Sequence, residues 1–110
     1  MGERRHMSDK EFTNPPGMSP PLGLYSQVVR HEQSGLAFIA GQVASDLSGQ
    51  LVGQDSIVEQ TWQVFKNIEG ALKSLERNWS SVVRLTTYIT ESANFRGCAE
   101  VRDEHFATVY

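Results

Sequence analysis

The chain has 110 residues, with ten Lys and Arg against thirteen Asp and Glu and a net charge of -3 at pH 7. This length supplies one domain, and the mixed acids and bases form no basic stripe, so nucleic acid is not expected as a partner. The single cysteine, Cys98, permits no internal disulfide, and the sequence shows neither a signal-peptide pattern nor a long apolar run. We therefore expect a protein of a reducing, cytoplasmic compartment without a membrane partner.

The first twenty residues differ in composition from the rest of the chain. They combine a charged start with a stretch rich in Pro and Gly at 15–21, and Phe12 and the methionines are their main apolar residues. Such a composition buries too little apolar surface to offset the entropy lost on ordering. Residues 1–20 are therefore predicted to be a flexible or extended arm, and residues 21–110 to be the domain.

A β-hairpin is predicted over residues 25–40. Both arms, 25–31 and 36–40, are rich in β-branched and aromatic residues, and the four residues between them have turn composition. Gly41 follows the second arm directly, where the absence of a Cβ permits close approach of backbone or of a ligand. Two interpretations remain for this glycine, the floor of a small-ligand site and a simple bulge or strand exit.

A turn-rich stretch with a brief third strand at Leu51 and Val52 precedes the clearest helical pattern, at residues 56–77. Ser56 and Glu59 match a capping box, which marks the start of this helix. Its buried stripe should lie against the sheet, because one set of mainly apolar residues recurs at helical spacing. That set is Ile57, Thr61, Val64, Phe65, Ile68, Leu72 and Leu75.

A further strand is predicted at Val83–Thr90, where apolar and polar residues alternate with period two. Ser92 or Asn94 can cap a second helix, which is predicted to run from Phe95 to about Tyr110 and to lie on the sheet. The resulting order is β-β-β-α-β-α. This order is typical of an α+β domain whose helices cover one face of a sheet.

Three short strings in the first half of the chain resemble those of one protein family. Residues 23–27 read Gly-Leu-Tyr-Ser-Gln, residues 40–42 read Ala-Gly-Gln, and residues 49–53 read Gly-Gln-Leu-Val-Gly. Their order and spacing resemble the Gly-Pro-Tyr-Ser-Gln, Ser-Gly-Gln and Asp-x-x-Thr-Gly-x-Leu-Val strings of the Rid family, the reactive intermediate deaminases, also called YjgF-type or L-PSP endoribonuclease-like proteins. Leu24, Ala40 and Ser48 depart from those strings, as in a divergent subgroup.

The resemblance implies a chorismate-mutase-like fold, in which two more strands follow the second helix and both helices cover one face of a mixed sheet. In that fold the last strand inserts between the N-terminal strands and the strand that follows the first helix. Without it, two rows of backbone N–H and C=O groups would lack partners. We therefore expect these residues to be a C-terminally truncated version of a longer protein, the alternative being that the six elements fold alone.

The resemblance also implies a function. Rid proteins are homotrimers that hydrolyse a short-lived enamine or imine to a ketone and ammonia in clefts between subunits, and no cofactor is implied. The family's carboxylate-binding arginine and water-handling glutamate lie beyond Tyr110, so no catalytic residue is assigned in this chain. The competing hypothesis is a non-catalytic protein that binds a small carboxylate or carbonyl metabolite. Ribonuclease activity is disfavoured, because the composition supplies no cationic surface.

Four positions correspond to the family's substrate-binding residues. Tyr25 matches a tyrosine that closes one wall of the cleft, although a half-buried strand aromatic with a wet hydroxyl is an equal alternative. Gly41 matches a glycine whose backbone faces the ligand, and Ala40 occupies the neighbouring serine position. Ala99 stands where the deaminases carry an asparagine, so the cleft loses a hydrogen-bonding side chain here.

The other reactive side chains form no convincing constellation in the sequence. Cys98 and His105 are seven residues apart on one predicted helix, a rise of roughly 10 Å, which is too far for a thiolate–imidazole pair. Cys98 is therefore interpreted as a small core residue. The acids around His105 fan around the helix as on a solvated face, so no metal site is predicted.

Overall fold

The computed structural model describes residues 3–7, 9–107 and 109. In these residues a four-stranded antiparallel sheet precedes two helices, so the predicted α+β class with two helices is confirmed. The strands, in the spatial order β1-β2-β3-β4, are β1 (Glu3–Met7), β2 (Lys10–Asn14), β3 (Val28–His31) and β4 (Ala37–Ile39). The helices are α1 (Ile57–Ser74) and α2 (Phe95–Phe106), and single 3₁₀ turns lie at Trp79–Ser81 and Ser92–Asn94.

The predicted hairpin is confirmed as strands β3 and β4. Val28 lies opposite Ile39, and the N–H of His31 donates to the carbonyl of Leu36 at 2.8 Å across the turn. Gly35 has φ of 73° in this turn, a left-handed conformation that glycine adopts without steric cost. Both strands are shorter than predicted, which leaves residues 25–27 before β3 and Gly41 in the exit from β4.

The N-terminal segment differs from the predicted arm. β2 pairs antiparallel with β3, with Phe12 opposite Val29, and Thr13 and Met18 are buried. β1 pairs in turn with β2, while residues 1, 2 and 8 lie outside the described part. Residues 10–14 are thus extended but paired, because β3 supplies ladder hydrogen bonds to them, and Met18 adds an apolar anchor. The boundary between arm and domain at residue 20 stays a prediction.

Helix α1 covers one face of the sheet, as predicted. Its N-cap is Ser56, whose hydroxyl oxygen accepts the N–H of Glu59 at 3.2 Å. Ala71 is fully buried in a cluster with Val28 of β3 and with Met18. Since successive residues of a strand point to opposite faces, Val28 faces α1 and Val29 faces away from it.

Helix α2 packs along α1, and the core cluster that contains its residue Val101 also contacts Ile39 of β4, so both helices lie on the same face of the sheet, as predicted. Its buried residue Val101 joins Phe65, Ile68, Leu72 and Trp79 in a second core cluster. Neither predicted cap residue provides a side-chain hydrogen bond at the start of α2, where Asn94 is the N-cap. The helix ends at Phe106, and the predicted end near Tyr110 lies outside the described residues.

The strand predicted at Val83–Thr90 is not formed. Among the described residues this segment has no strand partner, and its predicted inward side is largely exposed, with Val83 at 86%. A strand needs a neighbour to satisfy its N–H and C=O groups, so alternation alone does not produce one. The brief strand at Leu51 and Val52 is likewise reduced to an isolated bridge between Ser45 and Leu51.

Candidate functional site

A small polar cavity lies between the loop that precedes β3 and the loop that follows β4. Its volume is about 40 Å³. Its lining includes Tyr25 and Gly41, which are sixteen positions apart in the sequence. The rest of the lining combines the polar side chains of Ser19, Gln27, Gln42, Ser45 and Asn67 with Pro20, Leu22, Val43 and Gly49. None of the described residues that line this cavity is charged.

Gln27 is the hub of the hydrogen bonds that shape this cavity. The residue is buried, and its side-chain amide donates to the carbonyl of Ser19 at 3.0 Å. Its Oε1 accepts the Nε2 amide of Gln42 at 2.8 Å, and its backbone carbonyl accepts the N–H of Ala40 at 2.9 Å. Because a buried amide without partners is costly, these bonds fix the two loops relative to each other.

Asn67 connects the far side of the cavity to helix α1. Its Nδ2 donates to the carbonyls of Val43 at 3.0 Å and Ser45 at 2.9 Å, and its Oδ1 accepts Nε2 of Gln63 at 2.8 Å. Helical side chains therefore hold the loop that follows β4 in place. The cavity wall is thus supported by a rigid element rather than by loop residues alone.

The loop that contributes Gly49 to the cavity is closed by a carboxylate. Asp46 Oδ1 accepts the N–H of Gln50 at 3.0 Å and both the N–H and the hydroxyl of Ser48, at 2.9 and 3.0 Å. These bonds, that from the Gln50 backbone first, lower the pKa of Asp46 because they stabilise the charged form. Asp46 serves the loop geometry and does not line the cavity.

Tyr25 lies at the mouth of the cavity with about half of its surface exposed, at 46%. Its hydroxyl oxygen accepts the N–H of Leu22 at 3.3 Å, which folds the preceding loop over the ring. The hydroxyl keeps its own proton to donate. Tyr25 can therefore form a wall of the cavity and offer one hydrogen bond to a ligand.

Gly41 borders open space. A Cβ built on it would meet no atom within 4 Å, and its backbone is not in the left-handed region that favours glycine. Neither conformation nor packing within the described chain therefore requires glycine at this position. Two interpretations therefore remain for Gly41: contact with a molecule outside these residues, or a plain exit from strand β4.

The two alanines named from the sequence are placed differently. Ala40 adjoins Gly41, and its carbonyl accepts Nε2 of Gln42 at 3.0 Å. Ala99 is half-buried on α2 and is not among the residues that line this cavity. The structure thus brings Tyr25, Ala40 and Gly41 together within one chain but not Ala99. The roles of all four toward a ligand stay predictions.

A match to a protein-family model identifies the family of this chain. The model of the family described as Endoribonuclease L-PSP matches residues 17–110. The chain belongs to this family, the Rid or YjgF-type proteins. The matched range includes all the residues that line the polar cavity.

Individual Rid relatives show the extent of the likeness. The chain is 34% identical over 90 residues to a RutC family protein of Aquifex aeolicus, covering 81% of this chain and 69% of that protein. It is 31% identical over 98 residues to Reactive Intermediate Deaminase A, chloroplastic, of Arabidopsis thaliana, covering 88% of this chain and 51% of that protein. Thus the chain spans about two thirds of the first relative and about half of the second.

A solved Rid structure confirms the fold. The Rid family protein YyfA of Yersinia pestis, described as being of unknown function, superposes with a TM-score of 0.83 at 25% identity. The likeness covers 92% of this chain and 79% of that one. The Rid resemblance and fold class inferred from the sequence are therefore confirmed.

Sequence reasoning did not single out Gln27, Gln42 or Asn67 as site residues. A signal existed for the first two, since each closes one of the family-like strings at residues 23–27 and 40–42. Asn67 gave no signal, because on a helix it is indistinguishable from any half-buried polar residue.

Within the described residues there is no group of three or more His, Cys, Asp or Glu side chains arranged to hold a metal ion. The same part of the chain contains no helix long and apolar enough to cross a membrane.

Proposed function

We propose that the full-length protein hydrolyses reactive enamines or imines to a ketone and ammonia as a homotrimer, without a cofactor. The observation that carries this proposal is the convergence of Tyr25 and open Gly41 on one polar cavity in a chain of the Rid family. One relative is named a reactive intermediate deaminase, which supports the reaction class.

The reaction asks for little chemical machinery. A protonated imine is a strong electrophile, so water adds through its oxygen to the imine carbon while a proton passes to nitrogen. Cleavage of the C–N bond then releases ammonia as the carbonyl forms. The protein mainly has to position water and substrate and to offer a group for proton transfer.

The residues of this chain supply positioning groups. The Tyr25 hydroxyl can donate one hydrogen bond, and the Gln27–Gln42 amide pair fixes the backbone around Gly41. The cavity's described lining is uncharged, so a substrate carboxylate needs a cation from elsewhere. In the Rid-like arrangement proposed here, that cation is the family's arginine, and a neighbouring subunit completes the cleft.

The test uses an imine generated in situ from an L-amino acid by an amino-acid oxidase, with semicarbazide as a competing trap. We expect the full-length protein to lower the rate of semicarbazone formation. Gly41→Leu should reduce this effect roughly tenfold or more, because misplacing a substrate by about 1 Å is that costly. Gly17→Leu is the matched control, since an added Cβ there also meets nothing within 4 Å and Gly17 lies outside the cavity.

The second candidate function is non-catalytic binding of a small carboxylate or carbonyl metabolite. The alanines at positions 40 and 99 favour it, because they stand where the deaminases carry a serine and an asparagine. Calorimetric titration with a 2-oxo acid separates the two functions. Saturable binding that Gly41→Leu abolishes, in a protein that leaves semicarbazone formation unchanged, would establish binding and refute the deaminase.

A further inference from the structure

A triad of hydrogen-bonded side chains, Asp9, His31 and Ser34, lies at the end of the sheet opposite the polar cavity. Oδ2 of Asp9 is 2.7 Å from Nε2 of His31, and Nδ1 of His31 is 2.7 Å from Oγ of Ser34. His31 is the last residue of β3, so the length of that strand, roughly 13 Å, separates the triad from the cavity residue Gln27. A carboxylate, an imidazole and a hydroxyl in this order form the arrangement that activates a serine for nucleophilic attack.

Two backbone N–H groups select the positions of the protons in the triad. The N–H of Ser34 donates to Nδ1 of His31 at 3.3 Å, so in the neutral imidazole Nδ1 carries the lone pair and Nε2 carries the proton. That proton is donated to Asp9. The N–H of Leu36 donates to Oγ of Ser34 at 3.2 Å, which leaves the hydroxyl proton of Ser34 to be donated to Nδ1. All these donors and acceptors agree with one direction of proton donation, from Ser34 to His31 and from His31 to Asp9.

Backbone hydrogen bonds hold the two turns that carry the triad. The N–H of Glu32 donates to the carbonyl of Asp9 at 2.9 Å, which joins the β1–β2 turn to the hairpin turn. The N–H of Gly35 donates to the carbonyl of His31 at 3.1 Å, and Lys10 pairs with His31 in the β2–β3 register. These contacts involve only main-chain groups, so replacing a side chain of the triad leaves them in place.

The triad is accessible from solvent. Ser34 is exposed, and the side chains of His31 and Asp9 are 30% and 36% exposed. A small dissolved molecule can therefore reach Oγ of Ser34, and water stays in contact with the oxyanion that an attack on a carbonyl group produces. Because water stabilises such an oxyanion less well than fixed donors in an enclosed site, the position suits acyl groups that carry a weakly basic leaving group.

We propose that Ser34 is a nucleophile toward activated acyl compounds, such as aryl esters, with His31 as its general base and Asp9 as a positioning residue. Oγ of Ser34 bonds to the acyl carbon while its proton passes to Nδ1 of His31, and the imidazole returns this proton to the departing oxygen as the ester bond breaks. Water then adds to the acyl-serine with the same base, the carboxylic acid leaves, and the proton returns to Oγ. This activity goes beyond the proposed imine hydrolysis and does not depend on it.

The first test labels the protein with an alkyl fluorophosphonate, whose serine adduct is stable, and locates the adduct by peptide mass spectrometry. Oγ bonds to phosphorus as the P–F bond breaks and fluoride leaves. We expect Ser34 to react at least about a hundredfold faster than Ser92, an exposed serine of the 3₁₀ turn before α2, because a positioned general base contributes about 10²- to 10⁴-fold. In His31→Gln the rate at Ser34 should fall to that at Ser92. Equal rates at the two serines, or an unchanged rate in His31→Gln, would overturn the proposal.

Turnover is measured as the release of nitrophenolate from p-nitrophenyl acetate. Ser34→Ala should lower this release, whereas the matched control Ser92→Ala should leave it at the level of the unsubstituted protein. Equal release from the two variants would refute the hydrolytic step.

The role of Asp9 is read on the imidazole itself. The ¹⁵N chemical shifts of neutral His31 distinguish a proton on Nε2 from one on Nδ1, and we expect Nε2 to carry it. Asp9→Ala should shift this tautomer balance toward Nδ1 and slow the labelling of Ser34 about tenfold or more, since the carboxylate that orients the ring is lost. Asp103→Ala, on α2, is the control. An unchanged tautomer and an unchanged labelling rate in Asp9→Ala would overturn the positioning role.

Discussion

His105 carries a buried nitrogen that has no hydrogen-bond partner within residues 3–7, 9–107 and 109. Its imidazole lies among the rings of Trp62, Phe65, Trp79 and Phe106, with centroid distances from 4.6 to 5.7 Å, and Nε2 contacts no donor or acceptor in this part of the chain. An unpaired polar atom in such a place costs about 1–3 kcal/mol, because water is lost and nothing replaces it. The aromatic neighbours themselves would suit an apolar ring.

We predict that His105→Phe raises the free energy of unfolding by about 1 kcal/mol, since it removes the unpaired nitrogen and keeps an aromatic ring in the cluster. The measurement is urea unfolding followed by far-UV circular dichroism, which does not depend on the two tryptophans. His105→Asn should lower stability, because it keeps an unpaired polar group and loses the ring contacts. A marked loss of stability in His105→Phe would contradict this prediction, because it would show that the imidazole makes a stabilising contact other than those described here.

Gly53 and Gly41 differ in whether the fold requires glycine at that position. Gly53 has φ of 74°, and a Cβ there would lie 2.7 Å from Cβ of Glu59 and 2.9 Å from the backbone nitrogen of Gln60. We predict that Gly53→Ala lowers the free energy of unfolding by at least about 2 kcal/mol, since left-handed strain and a clash with α1 add. Gly41→Ala, which meets nothing within 4 Å, should change stability by less than about 0.5 kcal/mol. Similar losses in both variants, measured by thermal unfolding, would contradict this distinction.

At the scale of elements, a side-chain hydrogen bond connects the two turns at the same end of the sheet. His31 Nε2 lies 2.7 Å from Oδ2 of Asp9, between β1 and β2, and His31 Nδ1 lies 2.7 Å from Oγ of Ser34 in the hairpin turn. The hydrogen bond with His31 is the main reason why the pKa of Asp9 is lowered from its ordinary value of 3.8.

The lowered pKa of Asp9 determines how the stability of the fold depends on pH. Because the folded-state pKa lies below the unfolded one, the contribution of Asp9 is fully present above the unfolded pKa and is lost as the pH falls through the folded pKa. We therefore predict that Asp9→Asn flattens the fall of the urea midpoint as the pH drops below about 4. Some steepness should remain, since the pKa of Asp46 is lowered too. Asp103→Asn, on the exposed face of α2, should leave the curve close to that of the wild type, and an unchanged curve in Asp9→Asn would refute the role of the pair.

At the scale of the whole molecule, the chain exposes more surface than its mass predicts. Its accessible area is 7953 Å², whereas a monomer of 12.3 kDa typically exposes about 6,100 Å². Part of the excess surface is apolar, at Phe38 on strand β4 and on the segment around Val83 and Tyr88. Surface of this kind usually lies in contact with other protein.

We predict that the full-length protein sediments at three times the mass of its chain, as the proposed trimer requires, and that Phe38→Glu shifts it toward smaller species. The reason is that a charge placed on the apolar sheet face cannot be desolvated cheaply in an interface. Val58→Glu, which puts the same charge on a partly exposed position of α1, is the control. A monomer at all concentrations in sedimentation equilibrium would rule out the trimer.

The sequence by itself determined the features that rest on neighbours along the chain. The hairpin, its turn and the capped start of α1 follow from β-propensity, turn composition and one capping residue, all of which act within a few positions. The family-like strings around Tyr25 and Gly41 were readable for the same reason. These predictions needed no knowledge of what packs against what.

Only the tertiary structure decided the rest, because the deciding contacts join distant residues. β2 forms because β3 supplies its hydrogen-bond partners. Residues 83–90 form no strand because no described segment supplies partners for them, although their apolar–polar alternation is clearer than that of β2. Gln27 becomes the hub of the cavity through partners 8 to 15 positions away. His105 has no described partner because it packs among rings of α1, of α2 and of the 3₁₀ turn at Trp79. Hydrogen bonds have to be satisfied by whatever lies close in space, and that is set by the fold rather than by the local sequence.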